Sequence, residues 1–436
     1  MSEIKIHILD VGQGDCTIIQ AEGLNILVDC GSSKNADLAL ENVKEYFNTI
    51  FNGGAYHFDY LFLTHPDSDH YNLLNALLEA DLITFDQVYV SGVLTDYYGG
   101  QTVHCKVKRC VGAHRLKRIV EYKKQSRRTG KGSRSRGSIG PVFKCFPRPY
   151  SPHSRTVKTE YSIKEPSKFD FWLYEGMENA QGNFHQFPSD YKETNFISKG
   201  EFKIDVLAAN VSGYFSSSNT KSLVLRVYNN NVSAILAGDA TYLTEAFMLA
   251  QHNANVLETN VLKVGHHGSA KTSTSGEWAE ATDPQYAFIS SDRLGDTSGV
   301  GRGAFQIPSQ AVIDTILNFG RNNRLSSLVG NNHYFVSCFD SKYSLVSRSL
   351  NSFNSQASSS THYNLDEDYK HAFDPNDQLT DTSQYMSVAT TKGVFTTLYL
   401  LDHGMLEEDL GTSYEIKLSS NGAIDITTSS DMVTPP

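Results

Sequence analysis

The chain has 436 residues, 39% of them apolar, and a formal net charge of −10. That length can bury a large core and hold more than one domain. Nothing approaches the run of about 18 apolar residues that a membrane helix needs, and six cysteines in a chain this long do not make a disulfide framework. The N-terminus lacks a charged segment leading into an apolar one, so no secretion signal is expected. A cytoplasmic protein with free thiols and no membrane contact is the expectation.

In chain order, residues 4–11 and 16–20 read as strands joined through Gly12-Gln13-Gly14, and 24–29 as a third strand. Apolar residues at helical spacing predict a helix over 37–51. A strand at 58–64 leads into LTHPDSDHYN, followed by a helix at 73–80 and a strand at 87–93. Regularity then fails from about 95 to 200, a region that includes the Gly/Ser/Arg-rich SRRTGKGSRSRGSIG. Strands return at 202–210, 222–228 and 231–239. A helix at 242–252, a strand at 260–269 and another at 284–291 follow, then a helix at 308–320 that starts at Pro308 and ends at Gly320. Residues 322–385 read as irregular. The C-terminal stretch forms a hairpin around Asn421-Gly422. The alternation is α/β: one core over 1–400 with insertions at about 95–200 and 322–385, and a hairpin extension over 401–436.

Charge is unevenly placed. Residues 101–160 hold 17 Lys/Arg against 2 Asp/Glu, a local +15, while the remainder holds 21 against 46, or −25. A basic block in an acidic chain suits a phosphate-bearing partner, although a solvated loop has the same composition. Within it, His104, Cys105, Cys110, His114 and Cys145 could form a small zinc knuckle or remain free thiols and exposed imidazoles on a basic loop.

Three clusters carry chemistry. His65, Asp67, Asp69 and His70 crowd onto a loop leaving a strand. Alternate residues of an extended segment project the same way, so His65 and Asp67 can converge, with Asp69 and His70 beside them. The set suits two divalent ions, zinc or manganese, that activate a shared water; a hydrated turn would use similar residues. Gly238-Asp239 ends an apolar strand, where a carboxylate can bridge two ions. Val264-Gly265-His266-His267-Gly268-Ser269 ends another. Because successive strand side chains diverge, His266 is expected as the ligand, and His267 as a ligand or a catalytic substrate contact.

The stretches HILDVGQGDCTIIQ, NILVDCG, LTHPDSDH, SLVLRV, AILAGDAT and LKVGHHGSAKTSTS, in this order, resemble the metallo-β-lactamase fold hydrolases, and among them the nuclease-like domain of the competence protein ComEC. TTKGVFTT (390–397) is similar to that family's last core strand. The resemblance implies a four-layer αββα sandwich with metals at one edge between the sheets. It assigns His65 and Asp67 to a first metal, Asp69 and His70 to a second, Asp239 to a bridge and His266 to the late histidine. Asp29 would orient a ligand, Asp15 would face the site as a catalytic group beside Asp69, and Ser269 and Ser273 would touch phosphate.

The chain also departs from the family. Asp67 stands where the wider superfamily has histidine, which makes the site harder and favours manganese as a rival to zinc. Tyr71-Asn72 replaces a glycine pair. Phe305-Gln306-Ile307-Pro308 lacks the histidine of a Tyr-x-His-Pro element, for which His333 is a remote substitute. The expected function is a two-metal phosphodiesterase, foremost a nuclease of single-stranded DNA that grips the backbone through 101–160 and serves DNA processing or antiviral defence. Hydrolysis of a cyclic nucleotide or other small phosphodiester is one alternative. A nucleic-acid-binding regulatory subunit with little turnover is another, and a carbon-ester or lactam hydrolase a third. A protein partner or homo-oligomer is open.

Overall fold

A computed structural model describes residues 3–33, 36–97, 167–178, 182–213, 217–291 and 413–428, and helical positions 312, 315 and 316. It gives the strands 334–339, 345–349 and 392–399 as backbone. The basic block 101–160, with its His/Cys set, lies outside the described residues. So do Phe305 to Pro308 and His333.

The elements are β1 (Glu3–Ile8), β2 (Cys16–Ala21), β3 (Leu24–Cys30), α1 (Ala36–Ile50), β4 (Tyr56–Leu63), α2 (Asn72–Glu79) and β5 (Ile83–Val90), then α3 (Lys168–Glu178), β6 (Phe184–Gln186), β7 (Tyr191–Lys199), β8 (Phe202–Ala209), β9 (Val224–Tyr228), β10 (Ser233–Leu236) and α4 (Tyr242–Gln251). After these come α5 (Ala254–Leu257), β11 (Val261–Lys263), α6 (Gly276–Thr282), β12 (Tyr286–Ile289), β13 (Tyr334–Phe339), β14 (Leu345–Ser349), β15 (Lys392–Tyr399), β16 (Tyr414–Ser419) and β17 (Ile424–Thr428).

They form two sheets. One runs β17-β16-β1-β2-β3-β4-β5-β6 and the other β14-β13-β15-β12-β11-β10-β9-β8-β7. Strand alternation explains the layering. In β3, Ile26 and Val28 enter the core between the sheets, while Leu27 turns to the layer built from α1, α2 and α3. In β12, Tyr286 and Phe288 point inward, while Ala287 and Ile289 meet α4 and α6. Both sheets are therefore covered on both faces, giving helix, sheet, sheet, helix. This is the α/β four-layer arrangement expected from the sequence.

The helices follow their apolar spacing. Ala39, Val43 and Phe47 recur every four residues on α1 and are buried. The end of β4 packs an aromatic set at the centre of the sandwich. Phe62 is fully buried, 5.4 Å from Tyr89, 6.2 Å from Tyr60 and 6.1 Å from Phe196 between ring centroids.

Some stretches differ from the sequence reading. The irregular span 95–200 contains α3, β6 and β7, which join the helical layer and the edges of both sheets. The span 322–385 contains β13 and β14. The hairpin within 401–436 completes the first sheet: β16 pairs antiparallel with β1, and Tyr414, Ile416 and Leu418 are buried in the central core. The strand expected over 260–269 is only Val261–Lys263, and a turn follows it. The two described cysteines, Cys16 and Cys30, are free and buried.

No helix among the described residues is long and apolar enough to cross a membrane. Phe62→Ala removes a fully enclosed ring and should cost about 3–5 kcal/mol, read from the urea unfolding midpoint. A loss below about 1 kcal/mol would mean that the sandwich interior is not packed as described.

Candidate metal centre

The site collects the loops that leave the C-terminal ends of parallel strands, where open α/β sheets place their ligands. β3, β4 and β5 run parallel in one sheet; β10, β11 and β12 run parallel in the other. The turn 67–70 follows β4, Gly238-Asp239 follows β10, and Gly265–Gly268 follows β11.

Close backbone approach sets the position of the first turn. The Asp15 amide donates to the Asp69 carbonyl at 3.1 Å, and the Gly31 amide to the Asp15 carbonyl at 2.9 Å. A Cβ on Gly31 would meet the Asp69 carbonyl carbon at 2.4 Å, so only glycine lets the two segments touch. Across the site, Gly238 at φ 51° turns the chain against Thr64.

Asp239 lies at the middle, its side chain 4% exposed. Its Oδ2 is 3.5 Å from His65 Nε2 and 3.6 Å from His266 Nε2. Its Oδ1 is 3.3 Å from His70 Nε2 and 3.5 Å from His267 Nε2. His65 Nε2 is 3.6 Å from Asp67 Oδ2, and His267 Nε2 is 3.6 Å from Asp69 Oδ2. Two loci emerge, one at each oxygen of Asp239. His65, Asp67 and His266 face the first, and Asp69, His70 and His267 face the second.

These separations are too long for good hydrogen bonds. His65 Nε2, His70 Nε2, His267 Nε2 and Asp239 Oδ1 are buried and have no hydrogen-bond partner. Donor atoms about 2.0–2.2 Å from one tetrahedral ion stand about 3.3–3.6 Å apart. The spacing and the orphaned atoms therefore fit divalent cations. The ligating atoms of His65, His70 and Asp239 lie within 4.8 Å of one another, as do those of Asp69, His70 and His267.

The far ring nitrogens are anchored, which fixes the tautomer that exposes each Nε2 lone pair. His70 Nδ1 donates to Asp29 Oδ2 at 2.7 Å. His267 Nδ1 donates to the Ser290 carbonyl at 2.8 Å, and His65 Nδ1 contacts Thr64 Oγ1 at 3.1 Å. The Thr64 hydroxyl and amide both donate to Asp29, at 2.6 and 2.8 Å.

Without an ion, the charges lean on one another. Burial alone would lower the His70 pKa, but Asp239 and Asp29 override it and hold it well above the usual imidazole value. His267 is raised too, against burial, by Asp239 and Asp69. Burial would raise Asp239, yet His267, His70 and His65 carry it well below the carboxylate range. Asp69 falls to about 2, against burial, through the His267 imidazole beside it and through His70. Asp67 is lowered against burial by His65. His266 is lowered, mainly by burial.

Several expected site residues lie elsewhere than the sequence suggests. Asp15 does not open on the cleft. Its Oδ1 pairs with buried Lys263 at 2.5 Å, and its Oδ2 lies behind His70, 3.8 Å from Nδ1. The Ser273 hydroxyl is committed to the Gly265 and Ser269 carbonyls, and Ser269 is buried in the same turn. His266 and His267 are both left-handed, with φ of 49° and 51°. They are not strand residues, so the strand argument for choosing His266 does not hold: the turn sends one ring to each oxygen of Asp239.

Sequence reasoning missed three residues. The Asn219 amide donates to His266 Nε2 at 3.0 Å and lies 3.4 Å from Asp239 Oδ2. Thr272 Oγ1 holds His266 Nδ1 at 2.6 Å. Lys263, a lone lysine in an apolar strand, was the one legible signal.

Residues 9–82 match a family model described as Metallo-beta-lactamase superfamily. The chain is 33% identical over 102 residues to "Competence protein ComA" of Neisseria gonorrhoeae; that stretch is 23% of this chain but only 13% of the relative. Among solved structures, the metallo-beta-lactamase fold protein YhfI from Bacillus subtilis aligns at 12% identity and TM-score 0.31, over 66% of this chain and 86% of that one. The short form of human tRNase Z aligns at 10% identity and TM-score 0.31, over 65% and 91%.

Two outcomes follow. Asp29→Asn should weaken divalent-metal binding about 10- to 100-fold, measured by titration calorimetry with Mn²⁺; an unchanged affinity would remove Asp29 from the support of His70. The second concerns pH. His70 and His267 have folded pKa values above their unfolded ones, so their stabilisation is complete below about pH 6.5 and is lost as pH rises through the raised values. Asp69 contributes above about pH 4 and is lost toward pH 2. Metal-stripped protein should therefore melt lower at pH 9 than at pH 6, and added Mn²⁺ should offset the difference, because the ion takes neutral imidazole. A melting temperature that rises with pH in the stripped protein would contradict this.

Proposed function

We propose, starting from the metallo-β-lactamase match over residues 9–82, that this chain is a metal-dependent phosphodiesterase that cleaves nucleic acid, with single-stranded DNA as the preferred substrate. The observation that carries the reading is the set of orphaned buried Nε2 and Oδ atoms around Asp239. His65, Asp67 and His266 would hold one ion, Asp69, His70 and His267 the other, and Asp239 would bridge them. Divalent ions held there lower the pKa of a bound water and neutralise charge at phosphorus.

The protein supplies the rest. Asp29, Thr64, the Ser290 carbonyl and Thr272 hold the Nδ1 atoms of His70, His65, His267 and His266, so that each Nε2 faces the site. The Lys263–Asp15 pair sets the charge behind His70. Asp69 and His267 line the second locus, where their position relative to the ion would orient the attacking group. Asp67, with 41% of its side chain exposed, His266, with 19%, and Asp69, with 17%, mark the open side of the site.

The basic block favours a polymer over a small diester. Its 17 Lys/Arg in 60 residues would bind phosphates without reading sequence, making affinity steeply salt-dependent. The resemblance to the ComEC nuclease-like domain supports the same class. One observation favours a regulatory subunit instead, the absence of the Tyr-x-His-Pro histidine in Phe305-Gln306-Ile307-Pro308.

With Mn²⁺ or Zn²⁺ present, labelled single-stranded DNA should be cleaved, and Asp69→Ala should reduce the rate at least about 100-fold. Deleting 101–160 should weaken DNA cleavage and spare a small diester such as a cyclic dinucleotide. Salt-sensitive DNA binding without cleavage would support the regulatory subunit. Equal cleavage of both substrates by the deletion variant would remove the basic block from DNA binding.

A further inference from the structure

Tyr242 and Leu243 are the exposed large hydrophobic residues among the described residues, at 40% and 47% exposure. Single exposed apolar side chains are ordinary, but these two are adjacent. They open α4 three residues after Asp239, with Ala246 exposed on the next turn of the same face. The tyrosine is also held at both ends. Its backbone amide donates to the Thr272 carbonyl at 2.8 Å, and its hydroxyl to the Ala270 carbonyl at 2.6 Å. The ring therefore stands fixed on the loop 265–275 that carries His266 and His267.

That loop borders the open side of the metal centre. The side chain of Thr272, whose carbonyl receives the Tyr242 amide, holds His266 Nδ1 at 2.6 Å, and His266 is the exposed imidazole at the rim. Thr241, the residue before the ring, contacts Thr220 at 3.0 Å, next to Asn219 at the same rim. Tyr242 is thus joined to His266 through Thr272, and its neighbour Thr241 to the Asn219 turn through Thr220.

We infer that Tyr242, with Leu243 beside it, is a stacking platform for a nucleobase flanking the phosphate at the metal centre. A rigid ring costs little entropy to stack upon, and bases stack on aromatic faces irrespective of sequence. The platform would bind the base while Asp239 and its histidines address the phosphate; this explains why an apolar face stands beside an anionic, metal-binding cleft. The inference rests on the nucleic-acid reading above, and it places base binding on the rim formed by α4 and the 265–275 loop.

The test compares wild type, Tyr242→Ala, Tyr242→Phe and Leu243→Ala, each checked for an unchanged melting temperature. Fluorescence anisotropy measures binding of a labelled single-stranded oligonucleotide and of the same length built from abasic nucleotides. The wild type should prefer the base-bearing strand, and Tyr242→Ala should shrink that preference about 5- to 100-fold. Tyr242→Phe should keep most of it, and Leu243→Ala should lower it less than Tyr242→Ala does. Equal binding of both strands by wild type, or a preference untouched in Tyr242→Ala, overturns the platform. So does a change in oligomeric mass without a change in oligonucleotide binding, which would make the patch a protein contact. A wild type that cleaves neither strand, yet shows a base preference that Tyr242→Ala removes, would sink the phosphodiesterase reading and leave the platform standing.

Discussion

A single buried carboxylate organises this molecule. Asp239 sits among four imidazoles, at 3.3 to 3.6 Å from each. A carboxylate taken out of water costs several kcal/mol unless it is paired. Here its partners are too far for hydrogen bonds and too close to ignore. That spacing is stable only if cations occupy the gaps or the histidines carry protons. Either way, the strand ends of two sheets must be held in fixed relation, because His65 and His70 come from one sheet and Asp239, His266 and His267 from the other.

The fold meets that requirement with rigid parts. Parallel strands end in short turns on both sides, and the sandwich interior around Phe62 locks the sheets face to face. Gly31 lets the chain after β3 touch the Asp69 backbone. A second layer of polar groups (Asp29, Thr64, Lys263 with Asp15, and the Ser290 carbonyl) directs each ring. Those groups are buried, Asp29 taking both Thr64 donors and Asp15 pairing with Lys263, which stiffens the network. The partly exposed ligands are Asp67, Asp69 and His266, where a substrate would enter, and Tyr242 is joined to His266 through Thr272.

Much of this was legible in the sequence, and the reasons differ by element. Both faces of the core strands are buried, so β1 to β4 and β8 to β12 were visible as short, nearly continuous apolar runs rather than as alternation. The HxDxDH, GD and HHG clusters were visible because chemistry needs those residue types close together. Asn219 and the pairing of Lys263 with Asp15 were hidden, since the partners lie far apart in the chain, although a lone lysine in an apolar strand is itself a visible signal. His266 and His267 misled because a strand was assumed through them; only the left-handed backbone of both residues explains how adjacent side chains reach opposite oxygens of one carboxylate. β6 and β7 were hidden next to a basic stretch whose composition masks order, and the hairpin at the C-terminus was readable as a hairpin but not as the edge of the first sheet.

The central claim is that Asp239 joins two cation loci. Metal content by mass spectrometry on purified protein, beside Asp239→Ala and His267→Ala, tests it most directly. The account predicts about two divalent ions per chain in the wild type. It predicts loss of both in Asp239→Ala, and loss of one in His267→Ala. Retention of two ions in Asp239→Ala, with an unchanged melting temperature, would contradict it.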